Sequence, residues 1–457
     1  MSDDRDPTGG SGAAGGGSPD KEVVRAERHA ARARADAALD PPAAPPAGRH
    51  EPDTVARRFL HHVWSANPVT VTALAVGLAL LAGGVLAVLS DQRALAAYGY
   101  FLARPGDALG RTGEVLAAAY GNLLRGSVVD PGTVAAWRAG DAGWRDVLYP
   151  ISETLTYAAP LVLTGLAVAL AFRGGLFNIG AQGQATTGVI AAALTGFLLP
   201  LPVGLHLVAA VLAGALGGAL WGFVPGYLKA RTGAHEVINT IMLNYVAFAL
   251  LTWVIRQPGV QDPGRTDLIS RPVDGSARLP RLLGGELRVD AGLLLALAAA
   301  AAVAWLLDRS TVGFAVRAVG ANPDAARTAG IGVGGTYTLV LALSGALAGL
   351  AGAQSVLGAT ASTLTPLVVA QIGFDGILVA LLGRVRPWGV VAAALLFGAL
   401  RAGGNAMQSA AGISLELVTV LQALIVLLIA APALVRALLR LRPARAAAPR
   451  AALTRGW

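Results

Sequence analysis

Long runs of hydrophobic residues, separated by polar segments, fill most of the sequence beyond residue 55. Many runs are about 20 residues long, which is the length an α-helix needs to cross the hydrocarbon core of a bilayer. The pattern therefore predicts an all-α, polytopic integral membrane helical bundle with about ten transmembrane helices. The predicted spans are 69–89, 156–172, 185–200, 204–228, 236–255, 291–307, 333–353, 366–383, 388–405 and 415–435.

Three of these ranges are less regular than the others. The range 185–200 is short and runs into a proline-containing stretch, 366–383 is interrupted by glycines around Asp375, and 388–405 contains Arg401. Their boundaries are the least certain part of the predicted topology.

Basic residues orient the predicted spans. Arginine or lysine follows each second span, and positive charge in short loops marks the cytoplasmic side. We therefore expect both termini to be cytoplasmic, and we expect 90–155 and 257–290 to be extracytoplasmic loops. The basic residues that carry this inference are Arg173, Lys229, Arg231, Arg309, Arg317, Arg327, Arg384 and Arg386.

The two ends of the chain differ from the hydrophobic part. Residues 1–55 are rich in Gly, Ser, Pro and alternating charges, a composition that cannot bury a core, and they are predicted to be a disordered cytoplasmic tail. Residues 56–435 form the predicted transmembrane domain, and 436–457 form an Arg-rich cytoplasmic tail.

Composition excludes several classes of protein. Only 14% of the residues are charged, whereas a soluble domain has about 25%, and the mean hydropathy is +0.59. We assign the net charge of +9 to cytoplasmic loops and expect no nucleic-acid partner. The only lysines, Lys21 and Lys229, do not lie in a phosphate-binding G-x-x-x-x-G-K-[ST] motif, and the chain has no cysteine. We expect no enzyme active site, no metal site and no cofactor in this chain.

A predicted cytoplasmic segment, 310–331, has the sequence STVGFAVRAVGANPDAARTAGI. It predicts a short helix, a turn and a second short helix. Asn322 is placed to cap the second helix, Pro323 fits its first position, and Gly330 is placed to end it.

This segment resembles the coupling segment of permeases in the ribose, branched-chain amino acid and nucleoside branch of ABC importers. The matching positions are Gly320, Ala321, Asn322, Ala326 and Gly330, with Pro323 in the turn. Further runs resemble the nucleoside-importer permeases: PLVLTGLAVALAFRGG at 160–175, GLFNIGAQGQ at 175–184, AHEVINTIMLNYV at 234–246 and GFDGILVALLGRVRPWG at 373–389. Gln182 departs from the pattern, since glutamate is more frequent there. The resemblance covers roughly 150–435.

The resemblance implies a transport subunit in a bacterial plasma membrane. ATP and Mg²⁺ would bind to a separate ABC ATPase that docks on 310–331. The other implied partners are a second permease, related but not identical, and an extracellular lipoprotein that delivers a nucleoside. A simple-sugar permease of the ribose or galactose type is the alternative in the same class. An ion-coupled secondary transporter is the alternative from another class.

Polar residues within the spans are the candidates for the substrate pathway, because such side chains face the bundle interior or a water-filled path. For the polar residues of 178–184 and 236–244, the alternative role is to form hydrogen bonds between helices. Asp375 either lines the pathway or pairs with an arginine such as Arg401. Gln354 and Asn405 are weaker candidates. The main candidates are Asn178, Gln182, Gln184, Glu236, Asn239, Asn244, Gln371, Phe374 and Asp375.

Overall fold

A computed structural model describes residues 68–431, and the two predicted tails, 1–55 and 436–457, lie outside these residues. The described part of the chain consists of α-helices, one short 3₁₀ helix at Gly275–Ala277 and two isolated β-bridges. It contains no β-strand between residues 68 and 431. The predicted all-α class is confirmed for this part.

The helices are labelled in chain order. They are α1 (Pro68–Ser90), α2 (Gln92–Tyr98), α3 (Pro105–Ser127), α4 (Pro131–Ala139), α5 (Trp144–Arg173), α6 (Ala181–Leu198), α7 (Leu205–Thr232), α8 (Glu236–Ile255), α9 (Gly292–Arg309), α10 (Thr311–Ala321), α11 (Pro323–Thr328), α12 (Val333–Leu357), α13 (Ile372–Leu382), α14 (Pro387–Ala411) and α15 (Leu415–Ala430).

Six of the described helices are long and apolar enough to cross a membrane: α5, α7, α8, α9, α12 and α14. The pair α1 and α2, bent by 84° at the break between them, would make a seventh span. These helices confirm a multi-pass membrane protein. The count of about ten spans and the position of the termini remain predictions.

The boundaries of two predicted regions differ from the structure. The range 366–383 is not one helix, since α13 begins only at Ile372 and Ala370 before it has a positive φ of 37°. Segment 90–155 contains three helices and the start of α5, which begins at Trp144. Its helix α3 packs closely on α14, where Gly126 lies against Ala402 and Gly403.

Glycines bring α7 and α12 into backbone contact at the centre of the bundle. Gly214, Gly218, Gly222 and Gly226 recur at every fourth position of α7 and so lie along one side of that helix. A side chain at Gly218 would collide with the backbone of Gly345 and Gly349 on α12. Small residues allow this approach, and in lipid it supplies the packing that holds helices together.

The third helix of this centre, α6, is held by the same kind of contact. A side chain at Gly188 would meet the backbone of Gly349, and one at Gly352 would meet that of Ala185. Helix α5 packs against α12, and every residue of α5 from Ala158 to Ala171 is buried. These four helices position the polar residues described below.

We expect Gly345→Ala to destabilise the protein, because the added methyl group would meet Gly218 C at 2.9 Å and Gly222 Cα at 3.1 Å. Overpacking of this kind costs about 1–3 kcal/mol. Gly335→Ala on the same helix is the control, since nothing lies within 4 Å of that position. Thermal unfolding in detergent should show a lower midpoint for Gly345→Ala alone, and equal midpoints would contradict the close packing.

Candidate functional site

The segment 310–331 has the predicted helix–turn–helix conformation. The Ser310 hydroxyl caps α10 by accepting a hydrogen bond from Gly313 N at 2.9 Å. Asn322 Oδ1 caps α11 by accepting from the backbone N–H groups of Asp324 and Ala325, at 3.0 and 3.1 Å. Pro323 is the first residue of α11, and Gly330 follows it with a φ of 82°. The residues that form the turn therefore match the sequence-based prediction.

One side of this segment is fixed to the membrane helices. Gly320 lies against the backbone of Arg173 and Gly175 at the end of α5, and a side chain there would collide with the Arg173 carbonyl oxygen. Ala326 is buried in a small cluster with Val319 and Val333. Glycine at 320 and alanine at 326 are thus needed for the segment to lie close to the bundle.

The opposite side of the segment is exposed. Phe314 has 61% of its surface accessible, and Ala321 and Asn322 are exposed in the turn. Arg327 and Asp324 form an exposed ion pair at 2.9 Å. This side of the segment therefore presents an exposed aromatic side chain and an exposed ion pair.

Asn178 and Gln184 lie in a saturated hydrogen-bond network. Asn178 Nδ2 donates to Gln184 Oε1 at 2.9 Å and to Ser344 Oγ at 2.7 Å, and Ser344 Oγ donates to the Ala167 carbonyl at 2.7 Å. Asn178 Oδ1 accepts from Gly180 N at 2.9 Å. Asn178 and Gln184 are 0% and 1% exposed. The geometry favours the interhelical role for both residues over contact with substrate.

Gln182 and Asn244 join the start of α6 to its neighbours. Gln182 Nε2 donates to the Ala370 carbonyl at 2.6 Å, and its Oε1 accepts from Gly373 N at 2.9 Å. These bonds fix the turn before α13. Asn244 on α8 accepts from Gly183 N at 2.8 Å and donates to the Ile179 carbonyl at 3.0 Å.

Glu236 forms a partly buried ion pair with Lys229. Lys229 Nζ lies 2.6 Å from Glu236 Oε2, and the side chains are 21% and 10% exposed, respectively. The lysine also lies 5.4 Å from the centre of the Tyr337 ring. Phe177 N donates to Glu236 Oε1 at 3.5 Å. The pair therefore connects α7, α8 and the bend that follows α5.

The remaining candidates are less constrained. Asn239 Nδ2 is buried without a hydrogen-bond partner among residues 68–431. Gln371 is exposed, Phe374 is 42% exposed, and Asp375 is half-buried on α13. The ion pairs among residues 68–431 do not include one between Asp375 and Arg401, so the paired alternative is not seen in the described part of the chain.

Gln354 belongs to a different cluster, on the side where α9 begins. Its side chain lies against Gly292, and the Asp290 carboxylate is close to the same glycine. Asp290 is buried and accepts from Gly292 N at 2.8 Å and Ala359 N at 2.7 Å. Burial raises the pKa of Asp290. This cluster joins the segment around Asp290 to the end of α12. Gln354 is 1% exposed, so its side chain has no accessible surface for a substrate.

Sequence reasoning missed Ser344 and assigned Lys229 only a role in topology. Ser344 lies in a run of small residues, where nothing distinguishes it from a packing residue. The sequence did offer a reason to single out Lys229, because it is the only lysine in the described part of the chain. Arg317, one of the two arginines of segment 310–331, has a buried Nη1 without a partner among the residues described.

Residues 151–430 match the protein family described as branched-chain amino acid transport system / permease component. The chain belongs to this family. The permease is thus a transport component and not an enzyme, as the missing phosphate-binding motif predicted. Its family membership implies an ATPase and a substrate-binding protein as partners.

Several curated proteins are similar to this permease. The guanosine ABC transporter permease protein NupP of Bacillus subtilis is 38% identical over 69% of this chain and 89% of its own length. The nucleoside ABC transporter permease protein NupB of Lactococcus lactis is 38% identical, over 63% of this chain and 81% of its own. The glucose ABC transporter permease protein TsgB13 of Haloferax volcanii is 36% identical, over 61% of this chain and 75% of its own length. No solved structure matches the chain.

We expect Lys229→Met to destabilise the permease, because it leaves the Glu236 carboxylate without its partner; the loss should be less than the roughly 3 kcal/mol of a fully buried pair, since Lys229 is 21% exposed. Glu236→Gln in the Lys229→Met background should restore much of the loss. The four proteins of this double-mutant cycle are compared by thermal unfolding in detergent. Additive losses in the double variant would show that the pair does not act as a unit.

Proposed function

We propose that this chain is the membrane-spanning permease subunit of an ATP-driven ABC importer that carries nucleosides across the bacterial plasma membrane. The observation that carries the proposal is segment 310–331, fixed to the bundle through Gly320 and exposed on its other side. A protein that works alone needs no such surface. The similarity to a guanosine permease and a nucleoside permease supports the substrate class.

The proposed assembly contains two permeases and two ATPase subunits. The second permease is related to this one but not identical, and an extracellular lipoprotein delivers the substrate. ATP and Mg²⁺ bind to the ATPase subunits. This chain crosses the membrane about ten times, with both termini in the cytoplasm and with 90–155 and 257–290 on the outer side.

The contacts of 310–331 suggest how force reaches the spans. Closure of the ATPases would push on this segment, which lies directly against Gly175. The bend that follows is hydrogen-bonded to α6, α8 and α12 through Asn178, Glu236 and Asn244. A displacement at Gly175 would therefore move three helices together and alternate the access of a central path. The subunit contributes conformational change and no covalent chemistry.

A simple-sugar permease is the second candidate in the same class. The similarity to a glucose permease, at 36% identity, is the observation that favours it. An ion-coupled secondary transporter would use acidic residues deep in several spans. Within residues 68–431, Asp375 is the acidic residue in the interior of a predicted span, which argues against that mechanism.

Uptake in cells tests the substrate and the coupling together. We expect deletion of the gene to abolish import of labelled uridine and guanosine and to leave ribose and glucose import unchanged. Gly320→Trp should give the same loss, because the ring cannot fit against Arg173 and Gly175. Gly77→Trp is the control, since that glycine has nothing within 4 Å.

Two results would contradict the proposal. If deletion reduces sugar uptake alone, the substrate is a sugar and the nucleoside assignment is wrong. If Gly320→Trp is expressed normally and imports nucleosides at the wild-type rate, 310–331 does not couple transport to the ATPase.

A further inference from the structure

A second set of polar side chains runs along α5, α14 and α13, separate from the network around Asn178. We call it the polar seam. Its members are Glu153 and Tyr157 of α5, Arg288 from the loop before α9, Arg401 and Asn405 of α14, and Asp375 of α13. All six are half-buried, although their neighbours on α5 and α14 are mostly buried.

The seam begins at an ion pair. Arg288 Nη1 lies 3.0 Å from Glu153 Oε2, and Arg288 Nη2 donates to the Ala359 carbonyl at 3.3 Å. The guanidinium carbon is 6.0 Å from the centre of the Tyr157 ring. The ion pair therefore connects the loop before α9 to one side of α5, where Glu153 and Tyr157 are four residues apart and neighbours on the helix surface.

The seam continues along α14. Asn405 Nδ2 donates to the Tyr157 hydroxyl at 2.9 Å. Arg401 lies one helical turn before Asn405 on the same side of α14, and α14 packs against α13, which carries Asp375. Contacts join four of these side chains, Arg288, Glu153, Tyr157 and Asn405, and the seam extends from them along α14 toward α13.

Hydrogen bonding distinguishes the seam from the Asn178 network. Asn178 and Gln184 are fully buried and bonded to each other and to Ser344. In the seam, Asn405 Oδ1 has no hydrogen bond to any residue in 68–431. The same holds within this range for the Arg401 guanidinium and the Asp375 carboxylate.

Unsatisfied polar groups within a bilayer are tolerated where they face water or a polar solute. We propose that the polar seam lines the translocation path and hydrogen-bonds a neutral solute that carries several donors and acceptors. The network around Asn178 instead holds helices together.

The charges of the seam fit a neutral solute. Glu153 is paired with Arg288, and Arg401 and Asp375 carry opposite formal charges, so the formal charges of the six side chains sum to zero. Asn405 offers an amide oxygen and a second N–H, and the Tyr157 hydroxyl retains its own proton to donate. A nucleoside has matching groups in its ribose hydroxyls and base edge. This assignment of the ligand rests on the proposed function.

The chain has no cysteine, which allows a direct test of access. Asn405→Cys and, separately, Tyr157→Cys are introduced, and the complete transporter is treated in intact cells with a charged, membrane-impermeant thiosulfonate. Leu216→Cys on α7 is the control, since this leucine is 62% exposed on the apolar outer side of α7, opposite its glycine side. Modification is measured on the purified chain as a mass shift.

We expect at least one seam cysteine to react about tenfold faster than the control, because the reagent requires water and a thiolate. Saturating guanosine, added with the reagent during transport, should slow the modification several-fold, and ribose should not. Expression of each variant and its association with the ATPase are measured in parallel, so that only assembled transporter is compared.

Three results would overturn part of the account. If neither seam cysteine reacts faster than the control, the seam does not line a water-filled path. If both cysteines react and no imported solute slows their modification, the seam is exposed to water but does not bind substrate. If a sugar protects them and guanosine does not, the seam binds substrate and the nucleoside assignment fails.

Discussion

The contact between α7 and α12 is the constraint on which the rest of the structure depends. At Gly214, Gly218 and Gly222 of α7 the backbone meets that of Gly345 or Gly349 of α12, and at Gly226 it meets Thr338. Lipid gives no hydrophobic advantage to helix association, so close packing of this kind must supply it. Because α6 joins through Gly188 and Gly352, three helices form one unit. That unit holds Ser344 and Asn178 at hydrogen-bonding distance and places the bend after α5 against Gly320.

The bundle contains two kinds of polar cluster, one with its hydrogen bonds satisfied and one with free donors and acceptors. Around the bend after α5, the polar side chains have hydrogen-bond partners on neighbouring segments. These side chains are Asn178, Gln182, Glu236 and Asn244. A saturated cluster transmits displacement because its members cannot separate without losing buried hydrogen bonds. The polar seam keeps donors and acceptors free within the described residues, as a surface that binds a passing solute requires. We therefore propose that coupling and substrate contact lie in different parts of the bundle.

Much of the fold and part of the site were accessible from sequence. Apolar runs located most of the long helices, and the cap at Asn322 with Pro323 and Gly330 located α10 and α11. Sequence could not separate Asn178 from Asn405, because hydrogen-bond saturation depends on Ser344 and Tyr157, which come from distant segments. The start of α13 was misplaced since the residues before Ile372 are as apolar as the helix and only their backbone conformation differs.

The most direct test of the central claim is transport in proteoliposomes that contain this chain with its second permease, its ATPase and its binding protein. Labelled guanosine uptake is measured with ATP or without it inside the liposomes, after ion gradients are collapsed with ionophores. We predict uptake that requires ATP and survives the ionophores. Uptake that persists without ATP or without the ATPase subunit, and that stops when the ion gradients are collapsed, would contradict the account.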